Sequence, residues 1–339
     1  MSAPDRQSLS AAFLQGIGWG AADRRFLAGD ASDRRYDRLT RGQTTAVLMD
    51  APPGQGDDSA AFVAIDRHLR GLGLSAPEIF AEDLSTGFLL LEDLGDALYA
   101  RHLATAPGDE AELYAAATDV LLHLQRAPAP PGLPDLTAAD WAEAAAFAPD
   151  WYGRAAGGPT RSPAFTTTLT DVLQRHADGP RVLILRDYHA ENLLWLPDRA
   201  GIARVGLLDF QLAQNGQPGY DLVSLLQDAR RDVPEALEQR MIRRFATATR
   251  QPEAEFAAAY AVLGAQRALR ILGIFARLCL QGGKPQYVAL IPRVWGQLQR
   301  NLAHPALAPL AALCAELLPA PTDDVLERIR ARCASSPTR

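Results

Sequence analysis

Two periods alternate along this chain. Near its start the apolar residues come in short runs with a period close to two. Arg24–Ala28, Arg34–Arg41 and Thr44–Met49 read as strands, and Gly42 marks a hairpin turn between the second and third. Pro77–Phe80 and Gly87–Leu91 predict the last strands of the same small sheet. A helix is expected over Ser8–Gly16. Another is expected over Asp57–Leu69, where Phe62, Ile65 and Leu69 form a stripe and Ser59 can cap. Beyond Glu92, Asp93, Leu94 and Gly95, which read as a hinge, the period becomes helical. Helices are predicted over 110–126, 137–147 with Thr137 as cap, 222–228, 234–247, 253–279, 288–302 and 306–318. The segment Phe256–Leu280 is apolar on most faces, so it should be buried, with Arg267, Arg270 and Arg277 interrupting it.

One stretch breaks the helical half. From Arg181 to Asp221 it reads RVLILRDYHAENLLWLPDRAGIARVGLLDFQLAQNGQPGYD. Two strand-like runs, Val182–Leu185 and Val205–Leu208, deliver Asp187 and Asp209 to their ends. Asn192 lies between them, and Leu193–Leu196 is helix-like or extended. A rigid strand fixes where a carboxylate sits, which is how many catalytic sites are built. One amide oxygen and one carboxylate, with room left for phosphates and water, suit Mg²⁺. Asp-x-x-x-x-Asn followed by Asp-Phe is the order of the phosphoryl-transfer set in kinases and their relatives.

Arg186, Asp187 and Tyr188, with Asn192 and Leu193 and the Leu208–Gln211 run, resemble the aminoglycoside phosphotransferase/choline kinase family. Within it the chain is most similar to the bacterial anomeric kinases of N-acetylmuramate and N-acetylglucosamine. Residues 34–36, 49–53, 87–91, 150–152, 272–277 and 284–287 extend the likeness over nearly the whole chain. The resemblance implies an α+β, protein-kinase-like two-lobed fold. Residues 1–94 would form a small β-rich N-lobe, and 95–339 a larger, mainly helical C-lobe. It implies ATP and Mg²⁺ as cofactors, and phosphorylation of a sugar at its C1 hydroxyl during cell-wall recycling. Asp187 would be the catalytic base or orienter, Asn192 and Asp209 the metal ligands, and Asp221 an anchor for the catalytic loop. Ser32, Arg34 and Arg35 would meet the nucleotide phosphates, and Glu92 and Leu94 the adenine. Asp150, Trp151, Tyr152, His189, Glu191, Gln211 and Arg277 are the candidates for the acceptor sugar. For the aromatic pair the alternative is core packing.

The chain departs from the family twice. Leu185 stands where most relatives carry His, so it can pack but cannot hydrogen-bond the loop of the second aspartate. The third strand, ending in Val47, Leu48, Met49 and Asp50, lacks the phosphate-binding lysine. Arg34 or Arg35 can replace it, since a forked guanidinium binds two oxygens at once, and strand alternation turns only one of them inward. Without the lysine, Asp66 is expected to be solvated.

The bulk properties exclude other classes. At 339 residues with 48% hydrophobic content the chain can bury a large core. A net charge of −6 offers no field for nucleic acid or an acidic membrane. Cys279, Cys314 and Cys333 are odd in number and scattered, which argues against a disulfide framework and fits a reducing compartment. No signal-like start is read, and no run of ~20 apolar residues is seen, so a cytoplasmic protein is expected. The partners expected are a nucleotide and a small-molecule sugar. Two readings stay open beside the sugar kinase. One is a kinase of another small alcohol or of an aminoglycoside, whose positive charges would need Glu235, Glu238, Glu253 and Glu255 gathered together. The other is a non-catalytic nucleotide-binding module.

Overall fold

The structure, a computed structural model, describes residues 5–29, 34–54 and 59–335. Its elements, in chain order, begin with α1 (Arg6–Gly16), β1 (Asp23–Ala28), β2 (Arg35–Arg41), β3 (Thr44–Asp50), α2 (Ser59–Gly71), β4 (Ile79–Asp83) and β5 (Phe88–Glu92). Next come α3 (Tyr99–Thr105), α4 (Glu110–Leu124), α5 (Ala138–Ala145), a π-helix (Ala148–Gly153), α6 (Arg154–Ala156), α7 (Pro163–His176), β6 (Val182–Ile184), β7 (Leu193–Trp195), β8 (Val205–Leu207) and β9 (Gln214–Gly216). The chain closes with α8 (Tyr220–Leu226), α9 (Glu235–Ala248), α10 (Glu253–Leu280), α11 (Ile291–Leu302), α12 (Ala308–Leu317) and α13 (Asp323–Ala331). Two compact units result: residues 1–130 with 190–213, and residues 131–189 with 214–339.

In the first unit five strands form one antiparallel sheet in the order β1-β2-β3-β5-β4. The central strand β3 is buried from Ala46 to Asp50, as an apolar run covered on both faces should be. Leu39, Ala46, Leu48, Phe88 and Leu90 pack with Leu14 and Trp19 into one core. Gly42 turns the β2–β3 hairpin at φ +62°. Gly87 is required before β5: its φ is +78°, and a Cβ there would lie 1.9 Å from the Ala51 carbonyl oxygen. The stripe of α2 is buried as the period predicts. Leu193–Trp195 resolves as a strand, paired antiparallel with β8, not as helix.

The second unit is helical apart from the β6–β9 pair. The helix α10 runs 28 residues and contacts the π-helix, α5, α7, α8, α9, α11 and α13. Where it passes Phe147 only a glycine fits, since a Cβ on Gly273 would come within 2.2 Å of the Phe147 backbone. No run of ~20 apolar residues stands out in the sequence. By length and composition α10 is apolar enough to cross a membrane, but 78% of its apolar window is buried inside the protein, the position of a core helix. The helices α3, α7 and α13 were not foreseen. For α7 the signal was present, with Ser162 capping the Ala164 N–H and Pro163 opening the first turn.

Candidate active site

The loop carrying Asp187 leaves β6 through a strained turn. Arg186 adopts a left-handed φ of +70°, uncommon for any residue but glycine. Three hydrogen bonds within the second unit hold it there. The N–H of Leu185 donates to Asp221 Oδ2 at 2.6 Å, and that of Arg186 donates to Oδ1 at 2.9 Å. Ser224 Oγ donates to the Arg186 carbonyl at 3.0 Å. Asp221 therefore stands where the anchor of the loop was expected. Burial pushes its carboxyl up to about 7; the two N–H groups and Arg267 oppose that shift, and the nearby charge of Asp187 adds to it. Leu185 is buried, so it supplies packing as expected. His189 is buried as well. Burial lowers its imidazole below the ordinary value, with Asp228 and Asp187 pulling upward and Arg267 and Arg230 downward.

In the first unit the β7–β8 hairpin positions the two expected metal ligands. Asn192 immediately precedes β7, and its carbonyl accepts the Leu208 N–H at 2.9 Å. Asp209 follows β8 in a left-handed conformation, φ +57°. Asn192 Nδ2 stands 3.5 Å from Asp209 Oδ2, and Gln211 Nε2 donates to Asp209 Oδ1 at 2.8 Å. The hydrogen bond that Leu185 cannot offer to this loop is thus supplied from within it by Gln211. An exposed carboxylate beside an amide, both fixed by a hairpin, fits a hard cation that keeps water and phosphate among its ligands. Among the described residues no cluster of three or more His, Cys, Asp or Glu offers a competing all-protein metal cage.

Asn192 and Asp209 line a cavity of about 300 Å³ within the same unit. Its walls are apolar, with Leu27, Val47, Leu91, Leu94, Leu194, Leu208 and Phe210 contributing, and Glu92 and Glu191 lie on its rim. Five residues proposed from sequence therefore meet here: Glu92, Leu94, Glu191, Asn192 and Asp209. The Glu92 carboxylate is engaged by Arg199 and by the Glu78 N–H at 3.2 Å. Asp93, Asp96 and Arg101 also line the cavity and were not among the expected site residues; Arg38 of β2 pairs with both aspartates. Ser32 lies outside the described residues. Arg34 and Arg35 separate as alternation requires. Arg34 is 3% exposed, with its guanidinium 5.9 Å from the ring of Phe62, a cavity residue. Arg35 is exposed, and it pairs with Asp37 at 3.1 Å.

Asp66 is buried where the sequence predicts it solvated. It is 1% exposed, not solvated, and neither carboxylate oxygen has a hydrogen-bond partner among the described residues. Burial pushes it up to about 7, while Arg70 and Arg67 oppose the shift. It follows Ile65 on the inner face of α2, and that neighbourhood buries it whether or not a lysine is present.

The remaining acceptor candidates belong to the second unit. Asp150, Trp151 and Tyr152 lie in the π-helix, a rare local geometry found often at functional sites. Asp150 pairs with Arg161 at 3.3 Å. Tyr152 is buried, packs against Trp295 and donates its hydroxyl to the Pro319 carbonyl at 2.6 Å, which is the packing alternative weighed for it. Arg277 lies over the Phe147 ring at 5.1 Å. Glu238 is buried and accepts from Gln227 and Tyr260, with Arg300 at 3.6 Å, so its charge is already countered inside the protein.

The profile of the Phosphotransferase enzyme family matches residues 23–260. The N-acetylmuramate/N-acetylglucosamine kinase of Caulobacter vibrioides is 41% identical, over 94% of this chain and 98% of its own length. The enzyme of the same name from Pseudomonas aeruginosa is 37% identical, over 88% of this chain and 91% of its own. Among solved structures, a choline/ethanolamine kinase family protein from Mesorhizobium loti superposes with a TM-score of 0.60 at 16% identity, covering 96% of this chain and 99% of that one. An ADP-bound aminoglycoside phosphotransferase gives a TM-score of 0.57 at 13% identity, covering 87% and 97%. At such identities the superpositions establish the kinase-like α+β fold: an antiparallel sheet followed by a larger helical region.

Proposed function

Because the chain belongs to the phosphotransferase enzyme family, we propose that it phosphorylates N-acetylmuramate or N-acetylglucosamine at the anomeric C1 hydroxyl, using ATP. The near-full-length identity to kinases named for those two sugars carries the reading of the acceptor. The adenine lies in the apolar cavity against Val47, Leu91 and Leu208, with hydrogen bonds to backbone groups of Glu92 and Leu94. Arg34 serves the phosphates in place of the missing lysine. Asn192 and Asp209 hold Mg²⁺, which neutralises phosphate charge when bound. Asp187 orients the C1 hydroxyl and accepts its proton. The sugar oxygen bonds to the γ-phosphorus, the bond from that phosphorus to the β–γ bridging oxygen breaks, and ADP leaves. Most of the rate gain comes from positioning and electrostatics, since phosphoryl transfer asks little covalent chemistry of the protein. Residues 1–94 and 95–339 act as the two lobes, and the product enters cell-wall sugar recycling in the cytoplasm.

The test is a panel of amino sugars, other sugars, choline and aminoglycosides, each offered with ATP and Mg²⁺ and read by phosphate transfer. The two N-acetylated sugars are expected to give the highest kcat/KM. Asp187→Asn is expected to lower kcat on the order of a thousandfold while leaving the KM for ATP nearly unchanged, because it removes the acceptor's partner and not a nucleotide contact. Preferred phosphorylation of choline or of an aminoglycoside would refute the sugar assignment.

A further inference from the structure

Arg267 is a buried cation, 7% exposed, that makes no ion pair among the described residues. Desolvating a guanidinium in this way is expensive unless its donors and its charge are used. Its donors go to two places. Nη2 donates to Ser224 Oγ at 2.9 Å, and Nη1 donates to the Gln227 carbonyl at 3.3 Å. Ser224 Oγ in turn donates to the carbonyl of Arg186, the residue held left-handed one position before Asp187. The hydroxyl thus accepts from α10 and gives to the catalytic loop. The same turn is gripped on its N–H side by Asp221, which is fully buried.

We infer that Arg267 is a positioning residue for Asp187, acting through Ser224 on the Arg186 carbonyl and by its charge on the buried Asp221 carboxylate. The inference rests on the assignment of Asp187 as the base. Both oxygens of Asp221 are needed as acceptors, and the ionised form supplies two equivalent ones where the protonated form does not. A fixed positive charge nearby favours that ionised form. With the turn closed on both sides, the strained φ of Arg186 persists and the direction of Asp187 is set. Neutralising Arg267 relaxes the Ser224 hydroxyl and weakens Asp221 as an acceptor together, so Asp187 loses its fixed orientation while the residues assigned to the ligands stay in place.

The test compares Arg267→Met, Arg267→Lys, Ser224→Ala and the Arg267→Met/Ser224→Ala pair, all assayed well below their melting temperatures. Arg267→Met is expected to lower kcat about a hundredfold, the effect of misplacing a catalytic group from a distance, with the KM for ATP and for the sugar changed less than about threefold. Arg267→Lys is expected to recover part of the loss, since an ammonium keeps the charge and one donor but not the fork. The double variant is expected to fall short of the product of the single losses, because both act through one hydrogen-bond chain. A folded Arg267→Met enzyme with unchanged kcat overturns the inference, as does a rise confined to the KM for the sugar, which would make Arg267 a ligand contact. A merely structural role would lower the melting temperature and leave the kcat of the folded fraction alone. Wild-type protein inactive on both amino sugars would instead overturn the functional reading, so the two failures are distinct.

Discussion

Arg34 and Arg35 are neighbours in sequence with opposite fates in the fold. The first is buried beside Phe62, and the second is exposed and spent on Asp37. A triphosphate needs an oriented cation besides its metal, because the metal bridges only some of its oxygens. Arg34→Ala is therefore expected to raise the KM for ATP by at least about tenfold, the scale of one lost charge-assisted contact, and Arg35→Ala to leave it nearly unchanged. ATP dependence of each single variant at saturating sugar checks this; equal effects would remove Arg34 from its assigned place. At this scale the two short strands that precede Asp187 and Asp209 were legible in the sequence as apolar runs. The sequence was silent on which arginine turns inward, because alternation fixes a parity and not its sign. It could not show Gln211 holding Asp209 either, since that contact accompanies the left-handed backbone of Asp209 itself.

Among elements, α2 carries the clearest conflict between pattern and chemistry. Its period was legible, and the period itself places position 66 next to the buried stripe, yet a carboxylate there was read as solvated. The fold keeps Asp66 protonated up to about 7, against an ordinary value of 3.8. A raised carboxyl costs nothing below its unfolded value, and its cost grows as pH rises through the interval up to the folded value. Asp66→Asn is therefore expected to be nearly neutral to stability at pH 4 and to stabilise by a few kcal/mol at pH 8 (about 1.4 kcal/mol for each tenfold change in proton affinity). Paired thermal or denaturant melts at the two pH values measure it, and a gain independent of pH would refute the buried-charge account. Other elements escaped the sequence reading for plainer reasons. The strand β9 is three residues, Gln214–Gly216, with no apolar run to announce it, and it is ordered by pairing with β6 on one side and by the bond from the Asn215 N–H to the Pro134 carbonyl, 2.9 Å, on the other. The π-helix begins at Ala148, just after the Phe147 backbone that Gly273 lies against, and no period encodes it.

On the scale of the whole molecule, the two expected anchors of chemistry fall in different compact units and do different work. Asp209, in the first, is exposed, with Gln211 of its own loop and Asn192 donating to its carboxylate. Asp221, in the second, is fully buried and accepts two backbone N–H bonds. Asp209→Ala is expected to leave the melting temperature of the free protein within about 2 °C, as most surface changes do, and to abolish the upward shift given by ATP with Mg²⁺. Asp221→Ala is expected to lower the melting temperature of the free protein by several degrees, since it leaves two buried N–H groups without an acceptor. A thermal-shift titration separates the two, and identical behaviour would erase the distinction between ligand and scaffold.

The helix α10 has a consequence for how the protein is made. By length and composition alone it is apolar enough to cross a bilayer, and its neighbours bury 78% of its apolar window. Chains emerge from the ribosome N-terminus first, and domains fold as they emerge. The π-helix, α5, α7, α8 and α9, which lie against α10, all precede it in the chain, while α11 and α13 follow. When Glu253–Leu280 leaves the exit tunnel, most of its covering has already been synthesised and waits for it. A gene rearranged to translate this helix first would present the same residues naked, to membranes and to chaperones, before anything existed to enclose them.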